Sequence, residues 1–243
     1  MEYGPEHAEL YDLVFRSRGK NFEEEARGLA EAVRSRFPGA ASLLDVACGT
    51  GAHMETFTEL FDHVEGLEYA PAMRETATRR LPGVPVHAGD MRDFDLGRTF
   101  DAVTCMGNAV GELGSHAELK SAIAAMAAHL VPGGVLVVEP WYFPDTFIDG
   151  YVGAHLHREE GRAITRMTHS TRQGDKSRLE VRFLVADSSG FRSFSEVLHS
   201  SLFTREEYSQ AFEDARCTVE FVPGFRLADG RPNSPGLFVG VRK

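Results

Sequence analysis

Leu44-Asp45-Val46-Ala47-Cys48-Gly49-Thr50-Gly51 decides the fold. With Ala41, Ser42 and Leu43 before it, this is a short, nearly continuous apolar run that stops at a glycine-rich turn. Such a run suits a strand buried on both faces of a parallel sheet. Gly49 and Gly51 let the backbone turn sharply and come close to a ligand at the sheet's carboxyl edge, where open α/β folds bind their ligands. A helix is predicted from Gly51 to Leu60.

Outward from this turn the same alternation repeats. Strands are predicted at His63 to Glu68, Val84 to Ala88, Ala102 to Cys105 and Val135 to Glu139, with helices at Ala72 to Arg80 and Ala117 to Leu130. Strands separated by helical stretches of this length indicate βαβ units. Upstream, Leu10, Leu13, Val14, Ala26, Leu29, Ala30 and Val33 recur at helical spacing on either side of Ser17-Arg18-Gly19-Lys20, which predicts two helices and a loop. Past Pro140 the texture changes. Ile164 to Ser170, Leu179 to Ala186 and Phe194 to Leu202 read as antiparallel strands of a meander, after which Thr204 to Ala215 returns to helix and 218–222 and 237–241 close the chain as strands. Ser115 with Glu118, and Thr204 with Glu207, have the form of capping boxes. The expected fold class is α/β: a Rossmann-like mixed sheet with helices on both faces, plus a small antiparallel β insertion late in the chain. The expected division is a cofactor-binding core with N-terminal helices over 1–140, the insertion over 141–203, serving as substrate cover or dimerisation element, and a helix and strands completing the core over 204–243.

The 243 residues suit one α/β domain with an elaboration, and a hydrophobic content of 42% with 26% charged residues is that of a folded globular protein. Thirty-six acidic residues against 26 basic, a formal charge of −10, argue against a nucleic-acid partner, because phosphate binding rests on clustered Lys and Arg. Cys48, Cys105 and Cys217 are odd in number and widely spaced, so neither a disulfide framework nor a metal site is expected. The N-terminus lacks a signal peptide's basic start and apolar stretch, and no run approaches the ~20 apolar residues of a membrane span. A soluble cytoplasmic protein is expected.

Two acids further along the chain give the glycine turn its weight. Glu68 ends the next strand, where a carboxylate can accept hydrogen bonds from a ribose diol; an acid about 20 residues beyond the glycines is expected of an adenosine-type site. Asp90 ends the third strand, where it can accept from an exocyclic adenine amine while Met91 packs on the ring. A nicotinamide enzyme is the rival reading, but Met54 occupies the third glycine position of GxGxxG.

This arrangement resembles the class I S-adenosylmethionine methyltransferases. The resemblance implies S-adenosylmethionine as cofactor, with S-adenosylhomocysteine as product. Asp45, Ala47, Gly49 and Gly51 would form the methionine-binding loop, with Glu68 at the ribose and Asp90 and Met91 at adenine. Over nearly the whole chain, including Ala8-Glu9-Leu10-Tyr11-Asp12, Gly89 to Phe94, Ala102 to Met106, Val138 to Pro144 and Gly236 to Gly240, the sequence is similar to the N-methyltransferases of nucleotide-linked amino sugars in mycaminose- and desosamine-type antibiotic pathways. That similarity implies a TDP-linked amino sugar as substrate and a homodimer paired through the late strands. It also implies that Tyr3 and Tyr11 close over the cofactor, which Met106 would also touch. Arg16, Asn108, Trp141, Tyr142 and Arg231 are the substrate-binding candidates. Where relatives carry a histidine facing the amine, this chain has Glu112, and the arginine that relatives carry just before Leu-Phe is replaced by Pro235-Gly236, leaving Arg231 as the nearest.

Methyl transfer to an amine needs aligned reactants, excluded water and a deprotonated nucleophile, but no metal. Glu112 is the catalytic candidate, as base or as attractor of the ammonium; the bland alternative is a solvated acid ahead of a capped helix. Arg16, Arg18 and Lys20 could meet a diphosphate, although a short basic turn is ordinarily solvated. Two other functions stay open: O- or N-methylation of another small natural product, and cofactor binding without catalysis.

Overall fold

The computed structural model describes residues 5–243. Among these, β1 (Ser42–Val46), β2 (His63–Glu68), β3 (Val86–Ala88), β4 (Phe100–Cys105), β5 (Leu130–Val138), β10 (Glu220–Val222) and β11 (Leu237–Val241) form one sheet in the order β10-β11-β5-β4-β1-β2-β3. β1 to β5 run parallel, β11 is antiparallel to β5, and β10 is antiparallel to β11. The mixed Rossmann-like sheet read from the alternation is therefore the fold. Its central parallel strands are largely apolar because successive side chains enter opposite layers. Leu43, Val135 and Val137 pack under α2 (Phe22–Arg34) and α3 (Ala52–Leu60), while Leu44, Val46, Leu136 and Val138 pack under α5 (His116–Ala128) and α6 (Arg205–Asp214).

Helix starts follow their caps. Thr204 and Glu207 form the full reciprocal box at α6. At α5 only half of it forms: Ser115 Oγ accepts from the Glu118 amide, but the Glu118 carboxylate turns away to Gly114 N and Arg92.

The second sheet is the meander β6 (Tyr151–Glu159), β7 (Arg162–Gln173), β8 (Lys176–Asp187) and β9 (Gly190–Ser201). Its inner face, with Ile164, Val181, Phe183 and Val185, packs on Leu10 and Val14 of α1 (Pro5–Ser17). The far side of α1 meets α4 (Pro71–Arg80), with Ala8 clustered on Ala70 and Met73. Helix α1 is thus held between the small sheet and the core. The sequence reading places no strand at β6, where the apolar positions Val152 and Leu156 point outward, 64% and 59% exposed, while Gly153, His155 and His157 point inward. The usual relation of period to burial is inverted there.

Candidate active site

The tips of β1, β2 and β4 meet at a cleft of about 210 Å³. Parallel register places Asp45 beside Thr104, whose hydroxyl donates to Asp45 Oδ1 at 2.7 Å. Asp45 is buried, and that burial raises its pKa to about 6, against which nearby His53 and the Thr104 hydrogen bond pull downward. After Val46 the chain enters the left-handed region at Ala47 (φ 55), Gly49 (φ 58) and Gly51 (φ 77). A side chain on Gly49 would project into open space within the cleft, whereas one on Gly51 would meet Ala77 at 3.2 Å. Gly49 therefore keeps the backbone open to a ligand, and Gly51 keeps α4 close to the turn.

Glu68, at the tip of β2, is locked by two backbone donors, Gly49 N at 2.8 Å and Ala70 N at 2.7 Å. Burial pushes its pKa up, opposed by those amides. Each carboxylate oxygen keeps acceptor capacity toward the cleft that it lines. Asp90 and Met91 line the same wall. Asp90 is clamped by Arg92, Nε to Oδ1 at 2.9 Å and Nη2 to Oδ2 at 2.6 Å, which holds its carboxyl below the usual range.

The third wall carries Tyr11, Met106, Gly107 and Glu112. Gly107 (φ 67) and Asn108 (φ 61) turn the chain off β4 into a single 3-10 turn, Ala109–Glu112, which presents Glu112. A side chain on Gly107 would lie 3.6 Å from the Tyr11 hydroxyl. Burial raises the pKa of Tyr11, and the charges of Asp12, Glu112, Glu139 and Glu68 add to the effect. Glu139, fully buried at the end of β5, accepts from Gly107 N at 2.7 Å through Oε2, and its Oε1 has no hydrogen-bond partner among the described residues. Helix α1 is pinned over the turn: Thr50 Oγ1 donates to Asp12 Oδ1 at 2.6 Å, Arg80 pairs with Asp12, and Arg80 Nη1 donates to the Thr50 carbonyl at 2.9 Å.

Of the residues predicted from sequence, Tyr11, Asp45, Ala47, Gly49, Glu68, Asp90, Met91, Met106 and Glu112 line this one cleft. Tyr3 lies outside the described residues. Gly51 sits behind the turn, and Asn108, Arg16, Trp141, Tyr142 and Arg231 stand away from the cleft lining. Arg16 is paired with Glu23 and Arg231 with Asp229, both toward solvent. Trp141 packs behind Gly111, next to Glu112, and its Nε1 donates to Ser177 Oγ at 2.9 Å, tying the turn to the small sheet. Tyr142 is exposed beside it.

Sequence reading took Lys20 for a diphosphate contact or a solvated turn residue, and missed His53 and Glu139. Lys20 and His53 line the cleft with Asp45, and both reach Glu25 Oε2, at 2.7 and 2.8 Å. Burial opposes the charge of Glu25, but the His53 hydrogen bond and the Lys20 ammonium hold it below the usual carboxylate range.

Asp45 gives a pH-dependent expectation. Its folded pKa is raised, so the folded state binds the proton more tightly than the unfolded chain, and stability falls as pH rises from about 4 to about 6. Asp45→Asn, which keeps the acceptor for Thr104, is therefore expected to stabilise the ligand-free protein at pH 8 by on the order of 2 kcal/mol. The gain should vanish near pH 4. Thermal unfolding of both proteins across this range checks it; a difference independent of pH would contradict the assignment.

Strand order, the left-handed turn at β1 and the acid at the tip of β2 define a Rossmann-like cofactor-binding fold of the methyltransferase type. The methyltransferase domain family matches residues 43–134. The chain is 49% identical, over 99% of its length and 94% of the relative, to the dTDP-4-amino-2,3,4,6-tetradeoxy-D-glucose N,N-dimethyltransferase of Saccharopolyspora spinosa. It is 50% identical, over 98% and 99%, to the dTDP-3-amino-3,4,6-trideoxy-alpha-D-glucopyranose N,N-dimethyltransferase of Streptomyces venezuelae. Among solved structures, the amino pentose methyltransferase of calicheamicin biosynthesis from Micromonospora echinaspora, determined with S-adenosylmethionine bound, superposes with a TM-score of 0.88 at 56% identity, covering 96% of this chain and 97% of that one. The chain belongs to this family of amino-sugar N-methyltransferases. It is an S-adenosylmethionine-dependent methyltransferase, and the cleft fits the cofactor, offering a backbone-locked carboxylate at Glu68 and an open backbone at Gly49.

Proposed function

We propose that the enzyme methylates the amine of a dTDP-linked amino sugar in antibiotic biosynthesis. Near-full-length identity to enzymes named for that chemistry carries the reading. Tyr11 and Glu112 share one side of the cofactor cleft, with the buried Glu139 close enough to act on Tyr11 by charge, and this supports it. In this reading Glu68 accepts from the ribose hydroxyls, Asp90 and Met91 hold adenine, and the turn from Asp45 to Gly51, with Met106, surrounds the methionine portion. S-adenosylmethionine supplies an electrophilic methyl group. Glu112 draws in the substrate ammonium and takes its proton, freeing the lone pair for in-line attack. Helix α1, pinned through Asp12, excludes water from the reacting atoms. Trp141, Tyr142 and Asn108 border the sugar, and Arg16 and Arg231 exchange their carboxylate partners for the diphosphate.

The domain division accords with the same reading, with 141–203 serving as cover and dimerisation element. The outer face of the small sheet carries Val152, Leu156, Met167, Leu184 and Val197, all exposed, an apolar surface suited to isologous pairing with a second copy. Three buried free thiols suit a reducing cytoplasm.

Incubation with S-adenosylmethionine and a panel of TDP-3-amino and TDP-4-amino sugars, read by mass, tests the function. A gain of one or two methyl masses is expected. Methylation confined to other acceptors, or cofactor binding with no turnover on any, would overturn the reading.

A further inference from the structure

The segment that presents Glu112 is too short to hold its own place. Ala109–Glu112 is a single 3-10 turn that follows two left-handed residues, Gly107 (φ 67) and Asn108 (φ 61), and so short a helical piece is not stable by itself. Within it Gly111 N donates to the Asn108 carbonyl at 2.9 Å and Leu113 N to the Val110 carbonyl at 3.3 Å. Val110 and Leu113 bury their side chains in the main core, so the backbone between them is located by whatever grips it from outside. At the leading end that grip is Glu139 Oε2, which accepts from Gly107 N.

At the trailing end the grip comes from the small sheet. Ser201, the buried last residue of β9, donates its hydroxyl to the Leu113 carbonyl at 2.6 Å, one residue beyond Glu112. Beside that bond Gly111 leaves no room for a side chain: a Cβ there would lie 2.7 Å from Trp141 Cβ and 3.5 Å from Ser200 Cβ. Trp141 is itself fastened to the sheet, since Ser177 Oγ accepts from its indole N–H and donates in turn to the Ser200 carbonyl at 3.1 Å. Buried hydroxyls are costly unless bonded, and those of Ser177 and Ser201 are both spent along this seam between the sheet and residues 111–113. Neither serine lines the cleft, so an effect of either on the chemistry passes through the turn.

We propose that Ser201 is a positioning residue for methyl transfer: its hydroxyl grips the Leu113 carbonyl while Trp141 buttresses Gly111, and together they set the Glu112 carboxylate where it meets the acceptor amine. The small sheet thereby helps to build the reacting centre. Misplacing a reacting group by about 1 Å costs on the order of a hundredfold in rate, so a single tie of this kind has a measurable effect. The inference rests on Glu112 receiving the amine and deepens that reading.

A double-mutant cycle on kcat tests the proposal, run at saturating S-adenosylmethionine with whichever TDP-amino sugar of the panel the wild-type protein methylates fastest. Ser201→Ala should lower kcat about tenfold or more while the Kd for S-adenosylmethionine stays within about twofold. In the Glu112→Gln background the same substitution should change kcat by less than about twofold, because no base is left to misplace. Gly111→Ala, whose methyl would push the turn off Trp141, should reproduce both results and answers the question should Ser201→Ala fail to fold. Equal losses in the two backgrounds would make Ser201 structural only, and an unchanged kcat in Ser201→Ala would remove the tie from the mechanism. A full rate in Glu112→Gln alone would instead refute the role of Glu112, and the tie with it.

Discussion

Replacing Glu68 with alanine is expected to raise the Kd for S-adenosylmethionine about a hundredfold, with turnover at saturating cofactor changed by less than about tenfold. The carboxylate is fixed by Gly49 N and Ala70 N, so it meets a ribose diol without reorganising. Hydrogen bonds to a charged acceptor contribute about 1.5–3 kcal/mol each, and losing two of them amounts to about 3 kcal/mol or two orders of magnitude in affinity. The substitution also leaves the Gly49 amide without its acceptor, loosening the turn that faces the ligand. Calorimetry measures the affinity directly. An unchanged Kd would mean that the cofactor lies elsewhere.

Glu112→Gln is expected to do the reverse, lowering kcat by about two to three orders of magnitude, the usual range for losing a general base, while the Kd for S-adenosylmethionine stays within about twofold. Glutamine preserves the size of the side chain on the Ala109–Glu112 turn but can neither take a proton nor attract an ammonium by charge. The two roles separate kinetically. Loss in kcat at saturating sugar marks proton transfer, and a rise in the sugar's KM with kcat kept marks attraction alone. If neither parameter moves, Glu112 has no part in the reaction.

Asp45, Gly49 and Glu68 were legible because they sit at strand tips, and strand tips can be read from local pattern: an apolar run ending in glycines for Asp45 and Gly49, and the next run ending in an acid for Glu68. The other parts depend on distant pairings. Lys20 lies in a turn with Arg16 and Arg18 that reads as solvated, and Arg16 is indeed open to solvent, but Lys20 is buried against a carboxylate on α2 that an imidazole on α3 also holds. Glu139 reads as the end of β5, and nothing local tells that the Gly107 amide would donate to one oxygen while the other has no hydrogen-bond partner among the described residues. Trp141 has two even readings in the sequence, sugar wall or packing under the small sheet; its indole N–H donates to Ser177, a tie that no sequence spacing encodes. β6 escaped for a related reason, since its apolar side chains face away from the body of the protein.

Fold and cofactor cleft together leave one claim at the centre, that the acceptor amine is received at Glu112 while the adenosyl ribose rests on Glu68. A crystal structure with S-adenosylhomocysteine and a TDP-linked amino sugar bound tests it most directly. The sugar's amine is expected within hydrogen-bonding distance of the Glu112 carboxylate, and both ribose hydroxyls on Glu68. An amine held by other groups, with Glu112 turned to solvent, would contradict it.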